Sequence, residues 1–504
     1  MNKCLGASYL SKPQSIGAVV LLLLLALFPA ERGVLCASSS SSSIINSIPG
    51  FSGPLPFKLQ TGHVGVGENE EVQLFYYFVE SEGNPGEDPL LLWFAGGPGC
   101  SGLSALAIEI GPVRFNIVDY NGSLPTWVLN PHSWSKVSSV IFLDAPVGTG
   151  FSYSRNLEGF KPGDKSMVDH SYNFLRKWLI QHPQFLANPL YIAGGSFSGL
   201  IVPIVVQQIL DGNEAGHEPL INLKGYLLGN PVTDLQLDEN SRVLYAHNMG
   251  LISDELYEST KRSCNGDYVN VDVRNSECVK DLQAITKCTK QLNAHNILAP
   301  ECVNIFKLRH EMVNEGRFLQ ESYEEFLLSQ PPLPKVECRN YVDLLCNIWA
   351  NDVGVQEALR VKGTVRIWDR CNKGIGYVHE VWNSTAYHQN ILATGSYRAL
   401  IYSGDHDLLV PYSATQSWIR SLKFSIVDDW RPWLVDSQVA GYSREYSNGL
   451  TFATVKARAT HLQSINQRNA LPCSKGGYLG NHCNYALYRS YSFKTLDELA
   501  NLSF

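Results

Sequence analysis

The stretch Leu190-Tyr191-Ile192-Ala193-Gly194-Gly195-Ser196-Phe197-Ser198-Gly199 decides the fold. An apolar run enters, a serine stands among small residues, and residues 200–210 leave with helical character. Strand, tight turn and helix in that order make a nucleophile elbow, whose crowded and strained turn demands small neighbours around the serine. The helix start directs backbone N–H groups toward the serine oxygen, where negative charge develops during acyl transfer. Ser196 is therefore the expected nucleophile, with Ser198 inside the motif and Gly199 closing it. Glycine-serine turns are common, and it is the flanking strand and helix that set this one apart.

Working outward, the same alternation recurs. Residues 90–94, 140–144, 190–193, 225–228 and 399–403 read as short buried strands, with helical stretches such as 166–181 between several of them. This pattern predicts an α/β fold with a mostly parallel central sheet flanked by helices on both faces. It breaks between about residues 240 and 353, which hold six cysteines, many charges and the loop-like Gln330-Pro331-Pro332-Leu333-Pro334. That segment reads as a helical, disulfide-containing insertion over the sheet. Inside it, residues 309–329 are highly charged and read either as a mobile or cleavable linker or as an ordinary solvated helix.

A second loop, Trp93-Phe94-Ala95-Gly96-Gly97-Pro98-Gly99-Cys100-Ser101, also follows an apolar strand. Its glycines let backbone N–H groups approach a substrate oxygen. The N–H of Gly97 and that of Phe197 are the candidate oxyanion donors, and losing one such donor costs about 10²–10³ in rate. In this chain order the acid of a triad follows the serine and the histidine comes last. Tyr402-Ser403-Gly404-Asp405-His406-Asp407 ends a strand, where catalytic loops sit in open α/β sheets. Either Asp405 or Asp407 is then the acid that orients a histidine, the other serving as a turn-former or cap.

Composition narrows the partners. The chain has 504 residues, 44% hydrophobic and 17% charged, which allows a large core and excludes a disordered chain. A net charge of -7 gives no basic surface for nucleic acid. Lys3 and Lys12 precede an apolar run over residues 16–28, and small residues around Cys36 and Ala37 follow. This reads as a signal peptide over residues 1–36, because the run is well short of the roughly 20 residues that span a membrane. A single domain over residues 44–504, entering the secretory pathway for an extracellular or vacuolar destination, is the expectation. Of twelve cysteines, ten remain once Cys4 and Cys36 leave with the signal, an even number that suggests disulfides. No CxxC pair occurs, which argues against zinc. Glycosylation sequons begin at Asn121, Asn383 and Asn501.

Taken together, Gly96-Gly97-Pro98-Gly99-Cys100-Ser101, Asp144-Ala145-Pro146-Val147-Gly148-Thr149-Gly150-Phe151-Ser152-Tyr153, the Ser196 elbow, Gly229-Asn230-Pro231, Trp349-Ala350-Asn351-Asp352 and Gly404-Asp405-His406-Asp407 resemble, in order, the serine carboxypeptidase-like family of α/β-hydrolase fold. The likeness runs from about Ile48 to Lys456 and is greatest to the plant branch, which contains carboxypeptidases and acyltransferases that use glucose esters. The resemblance implies Ser196 as nucleophile, Asp407 as triad acid, and Gly97 and Phe197 as oxyanion donors. It implies the disulfides Cys100–Cys371 and Cys264–Cys278, and excision of part of the insertion, about residues 303–337, in some members. No metal or organic cofactor is implied.

The departures from the family pattern set the substrate expectation. Family carboxypeptidases grip a peptide's free carboxylate with an Asn before the two glycines, a Glu before the nucleophile and a Glu further along. Close carboxyls that share a proton suit that task at low pH. Here the first two positions are Ala95 and Gly195, beside Gly96, and only Glu109 remains of the substrate-binding set. Family acyltransferases usually carry Asp at the Gly195 position, so this chain departs from that pattern too. After Lys456 the glycine run that should precede the catalytic histidine is replaced by Ala457-Arg458-Ala459-Thr460-His461. His461 is the only nearby candidate base, in an atypical C-terminal segment, 457–504. The expected function is acyl transfer through Ser196 between a small-molecule acyl donor and acceptor, leaning to glucose esters. The alternatives are a carboxypeptidase acting on peptides and an inactive or unstable product lacking a proper histidine.

Overall fold

We describe the fold from a computed structural model over residues 41–300, 302, 336, 338–361, 367–435 and 437–456. The signal segment, residues 309–329, His461 and Asn501 lie outside the described residues.

The strands are β1 (Ser41–Ile45), β2 (Leu59–Val66), β3 (Val72–Val79), β4 (Leu90–Phe94), β5 (Val113–Phe115), β6 (Trp127–Leu129), β7 (Ser139–Leu143), β8 (Tyr153–Ser154), β9 (Leu190–Gly195), β10 (Leu223–Gly229), β11 (Arg398–Gly404), β12 (Ile426–Val435), β13 (Gln438–Tyr446) and β14 (Leu450–Val455). One twelve-stranded sheet has the order β1-β2-β3-β7-β4-β9-β10-β11-β14-β13-β12, with β8 against β3. The run from β7 to β14 is parallel throughout. Antiparallel strands flank it, β3 against β7 on one side and β13 against β14 on the other. β5 and β6 form a separate pair.

The apolar runs form strands because both sides of each strand face a core. In β4, Leu90, Leu92 and Phe94 point into one hydrophobic cluster and Leu91 and Trp93 into the other. A parallel sheet covered on both faces gives this continuous apolar reading rather than alternation. Helix α1 (Asp164–Gln181) and helix α2 (Ser198–Glu214) cover the first face through Phe174, Leu175, Trp178, Leu200, Ile201 and Val205. Burying each such side chain contributes about 1.5–3 kcal/mol. Pro203 lies inside α2 and has no N–H for the Gly199 carbonyl one turn earlier. The Ser384 hydroxyl donates to that carbonyl instead, at 2.9 Å.

The segment from about residue 240 holds α3 (Leu235–Asn248), α4 (Asp254–Ser263), α5 (Ser276–Thr289) and α6 (Arg339–Asn351). Cys264–Cys278 and Cys302–Cys338 staple it, with Cα separations of 4.9 and 6.0 Å. The second of these pairs is not among those the resemblance implies. Cys288 and Cys346 are free, so the even count does not translate into complete pairing among the described residues. The small core of this segment includes Val243, Tyr245, Ile252 and Ile285, and it closes on Leu408, next to Asp407.

Candidate active site

Ser196 sits where β9 turns into α2, with φ +56°, a left-handed conformation that a non-glycine residue adopts only when its surroundings impose it. The surroundings are close. The Ser196 N–H donates to the Gly229 carbonyl at 2.9 Å, and the Ser196 carbonyl accepts from Gly199 and Val232 at 3.0 and 2.9 Å. A Cβ at Gly194 would stand 2.7 Å from Ser198 Cβ, and one at Gly199 would stand 2.4 Å from the Val232 carbonyl oxygen. A Cβ at Gly96 would stand 2.9 Å from Ser196 Cβ, so the loop after β4 lies directly against the serine. Small residues at these positions are a packing requirement of the turn.

The loop after β4 bears Gly97 and Gly99 at φ +123° and +84°. Its upstream end is held by the Ser198 hydroxyl, 3.2 Å from both the Phe94 and Ala95 carbonyl oxygens. Cys100 is bonded to Cys371, with Cα atoms 3.8 Å apart. The Ser101 N–H donates to the Arg370 carbonyl at 2.8 Å and the Asn372 N–H to the Gly99 carbonyl at 2.9 Å. Downstream, the buried carboxylate of Asp144 receives the Ser101 hydroxyl at 2.6 Å, the Gly102 N–H at 2.7 Å and the Phe151 N–H at 2.9 Å. Burial pushes the Asp144 carboxyl up to about 7, against the pull of those three donors. In the sequence this residue stood at the end of a strand and opened one of the motifs that carry the family resemblance, with no role of its own.

Strands β9, β10 and β11 are adjacent, so the turns at their C-terminal ends meet at one edge of the sheet. Asn230, after β10, ties that strand end to β11: its N–H donates to the Tyr402 carbonyl at 2.8 Å and its Oδ1 accepts from Gly404 N–H at 3.1 Å. Of the two acids after β11, Asp407 is fully buried and its Oδ1 caps the Leu409 and Val410 N–H groups at 2.8 and 2.9 Å. Asp405 is half-buried, with Oδ1 3.2 Å from His406 Nδ1. The helical segment grips this turn: Tyr245 donates to the Asp405 carbonyl at 2.8 Å, Arg242 Nε to the Leu409 carbonyl at 3.0 Å, and the Ala294 carbonyl accepts from Leu408 and Leu409 at 3.0 Å. Nothing local in the sequence marks this grip, because it joins positions far apart in the chain. β14 ends beside the same turn, its Val455 carbonyl accepting the Asp405 N–H at 3.1 Å.

Around the substrate side, Gly195 and Ala95 offer no polar side chain, and Glu109 is half-buried at the end of a short helical turn, Ala105–Glu109. Burial, and then the Glu109 charge, raise the Tyr402 hydroxyl. Arg339, at the start of α6, is lowered to about 10 by burial and then by Arg370, while Asp343, Glu109 and Asp407 oppose the shift. Asp343 itself pairs with Arg370 at 3.1 Å. A row of rings leads outward from the elbow: Phe197 to Tyr377 and His379 at 5.7 and 5.6 Å, then His379 to the exposed Trp382 at 6.0 Å. Asn121 is exposed on a turn, its Oδ1 accepting from Ser123 N–H and Oγ. Asn383 is also exposed, but its side-chain amide donates to Asp234 at 2.7 Å.

A parallel-centred sheet, helices on both faces and a serine elbow at the strand ends define an α/β-hydrolase. The chain belongs to the serine carboxypeptidase family, whose model matches residues 49–472. That match continues past Lys456, where the sequence resemblance ended, and takes in His461. Serine carboxypeptidase-like 7 of Arabidopsis thaliana is 49% identical over 442 residues, covering 88% of this chain and 93% of that relative. Serine carboxypeptidase-like 2 of the same plant is 49% identical over 438 residues, covering 87% and 91%. Among solved structures, a prohormone-processing carboxypeptidase from Saccharomyces cerevisiae, KEX1(DELTA)P, shares the fold at a TM-score of 0.60 and 21% identity, covering 81% of this chain and 88% of that one.

Proposed function

We propose that this serine carboxypeptidase-like chain transfers acyl groups from esters, glucose esters foremost, rather than trimming peptides. Ser196 Oγ attacks the ester carbonyl, a histidine takes its proton, and the tetrahedral oxyanion rests on the Gly97 and Phe197 N–H groups. Glucose leaves with that proton on its hydroxyl oxygen, and an alcohol or amine acceptor, or water, then releases the acyl group. Asp407 orients the base, for which His461 is the candidate; it lies outside the described residues. The observation that carries the reading is the pair Ala95 and Gly195, which leaves an incoming peptide carboxylate without its usual partners. Desolvating an unpaired carboxylate costs more than a single hydrogen bond returns. The ring row from Phe197 to Trp382 supports the same reading, since flat acyl groups and sugars both stack on aromatic faces. Entry into the secretory pathway belongs to this proposal as well. Among the described residues no helix is long and apolar enough to cross a membrane.

The test compares purified chain on a 1-O-acyl glucose ester and on a blocked dipeptide at acid pH. Turnover of the ester well above that of the dipeptide is expected, with both lowered by at least about 10³-fold in Ser196→Ala. Efficient release of C-terminal residues from the dipeptide would overturn the ester reading. A second reading, a chain without a working base, rests on the loss of glycines after Lys456. Inertness cured by grafting a glycine-flanked histidine after Lys456 would establish it.

A further inference from the structure

The loop from Phe94 to Gly102 is rich in glycine and makes its sharpest turns at Gly97 and Gly99, so its own backbone does little to fix it. It is held from outside upstream by Ser198, in the middle by the Cys100–Cys371 bond with the flanking Ser101–Arg370 and Gly99–Asn372 backbone bonds, and downstream by Asp144. Asp144 directly follows β7, which lies parallel to β4 with Leu143 opposite Phe94. The carboxylate thus projects from a rigid strand end beside the place where the loop begins.

Its two oxygens divide between two loops. Oδ1 takes the Ser101 hydroxyl and the Gly102 N–H, and Oδ2 takes the Phe151 N–H. The space is made for it, because a Cβ at Gly150 would stand 2.1 Å from Oδ2. The strand end is fixed in turn, since Ser152 Oγ donates to the Asp144 carbonyl at 2.6 Å and accepts the Phe75 N–H at 2.7 Å. We propose that Asp144 is a positioning residue for the oxyanion donor Gly97, setting where its N–H points by holding Ser101 and Gly102 against β7. The inference rests on the reading of Ser196 as nucleophile and Gly97 as donor. A misplacement of about 1 Å in such a donor is enough to cost up to about 10²-fold in rate.

The experiment uses the full-length chain and a fluorophosphonate that labels the elbow serine, separating the maximal labelling rate from the half-saturating probe concentration. Amide hydrogen exchange is followed in parallel over residues 95–104 and 190–200. In Asp144→Ala all three bonds to the carboxylate are lost. The maximal rate should fall about 10–100-fold while the half-saturating concentration stays within about twofold. Exchange should rise over 95–104 and stay unchanged over 190–200. Ser101→Ala removes one of the three bonds, together with the Leu103 N–H bond to the same hydroxyl, and should show the same pattern at about three- to tenfold. It decides the matter if Asp144→Ala does not fold. Wild-type labelling rates in both variants, or slowed labelling without faster exchange over 95–104, would overturn the proposal. If the wild-type chain is not labelled at all, it is the Ser196 reading that has failed. Exchange alone then judges Asp144: faster exchange over 95–104 supports its hold on the loop, and unchanged exchange overturns it.

Discussion

Asp144 and Asp407 are both fully buried carboxylates at strand ends, yet the sequence distinguished only one of them. Triad order and strand position pointed to an acid after β11 and left Asp405 and Asp407 open, and the family resemblance chose Asp407. The structure adds why Asp407 and not Asp405 is turned inward: its Oδ1 caps the turn, while Asp405 stands half-exposed beside His406. Asp144 was not legible, because its partners come from the Ser101 and Phe151 loops, and nothing local marks a carboxyl that will be buried. Its raised carboxyl has a consequence for stability. A carboxyl whose folded value lies near 7, above its ordinary value near 3.8, keeps the folded chain better protonated than the unfolded one. The resulting stabilisation is fully present below about pH 4 and is lost as the pH rises toward 7. Urea unfolding of wild type and Asp144→Asn from pH 4 to pH 8 should therefore show the wild-type advantage shrinking across that window, by an amount on the order of a few kcal/mol. Asp238, raised to about 7 by burial, is common to both chains and cancels in the difference. An advantage that stays constant with pH would show that Asp144 does not titrate there.

At the scale of elements, the elbow and the parallel strands were readable because their signals are local. An apolar run, a cluster of small residues and a helical period are visible within ten residues. The antiparallel flanks were not readable. β3 is buried along its whole length and includes Gln73, Tyr76 and Tyr77, so it shows no alternation. β12 is largely exposed and holds Asp428, Asp429, Arg431 and Pro432, which read as loop. The contact between β9–α2 and the turn after β10 gives a sharp element-level prediction. Gly199→Ala places a methyl group 2.4 Å from the Val232 carbonyl oxygen and 2.5 Å from Pro231 Cβ. Backbone must move, at a cost of about 1–3 kcal/mol. The urea midpoint should fall accordingly, and fluorophosphonate labelling of Ser196 should slow. Gly216→Ala is the control for a helix-end glycine with open space around it, although its φ of +73° adds backbone strain of its own. Equal behaviour of the two variants would show that packing at the elbow is not what requires Gly199.

On the scale of the whole molecule, the described part of the site is assembled from segments that begin near residue 94 and end near residue 455, and one covalent tie spans much of that distance. Cys100→Ser with Cys371→Ser should lower stability by roughly 2–5 kcal/mol, the usual range for a native disulfide. It should also slow Ser196 labelling, because the loop after β4, which lies against Ser196, loses its central anchor. Unchanged labelling in the double variant would assign the bond to stability alone. The same tie has a meaning for biosynthesis. Its partners are 271 positions apart, and ribosomes add about 5–20 residues per second. Cys100 therefore waits tens of seconds for its partner, while Cys264 and Cys278, 14 positions apart, meet almost as soon as they emerge. During that wait the elbow half of the molecule already exists, but the acid turn and β14 have yet to be made. On the proposed reading of Ser196, Asp407 and His461, a nascent chain thus carries its serine before its acid, and the site is complete only once the segment after β14 has also been made.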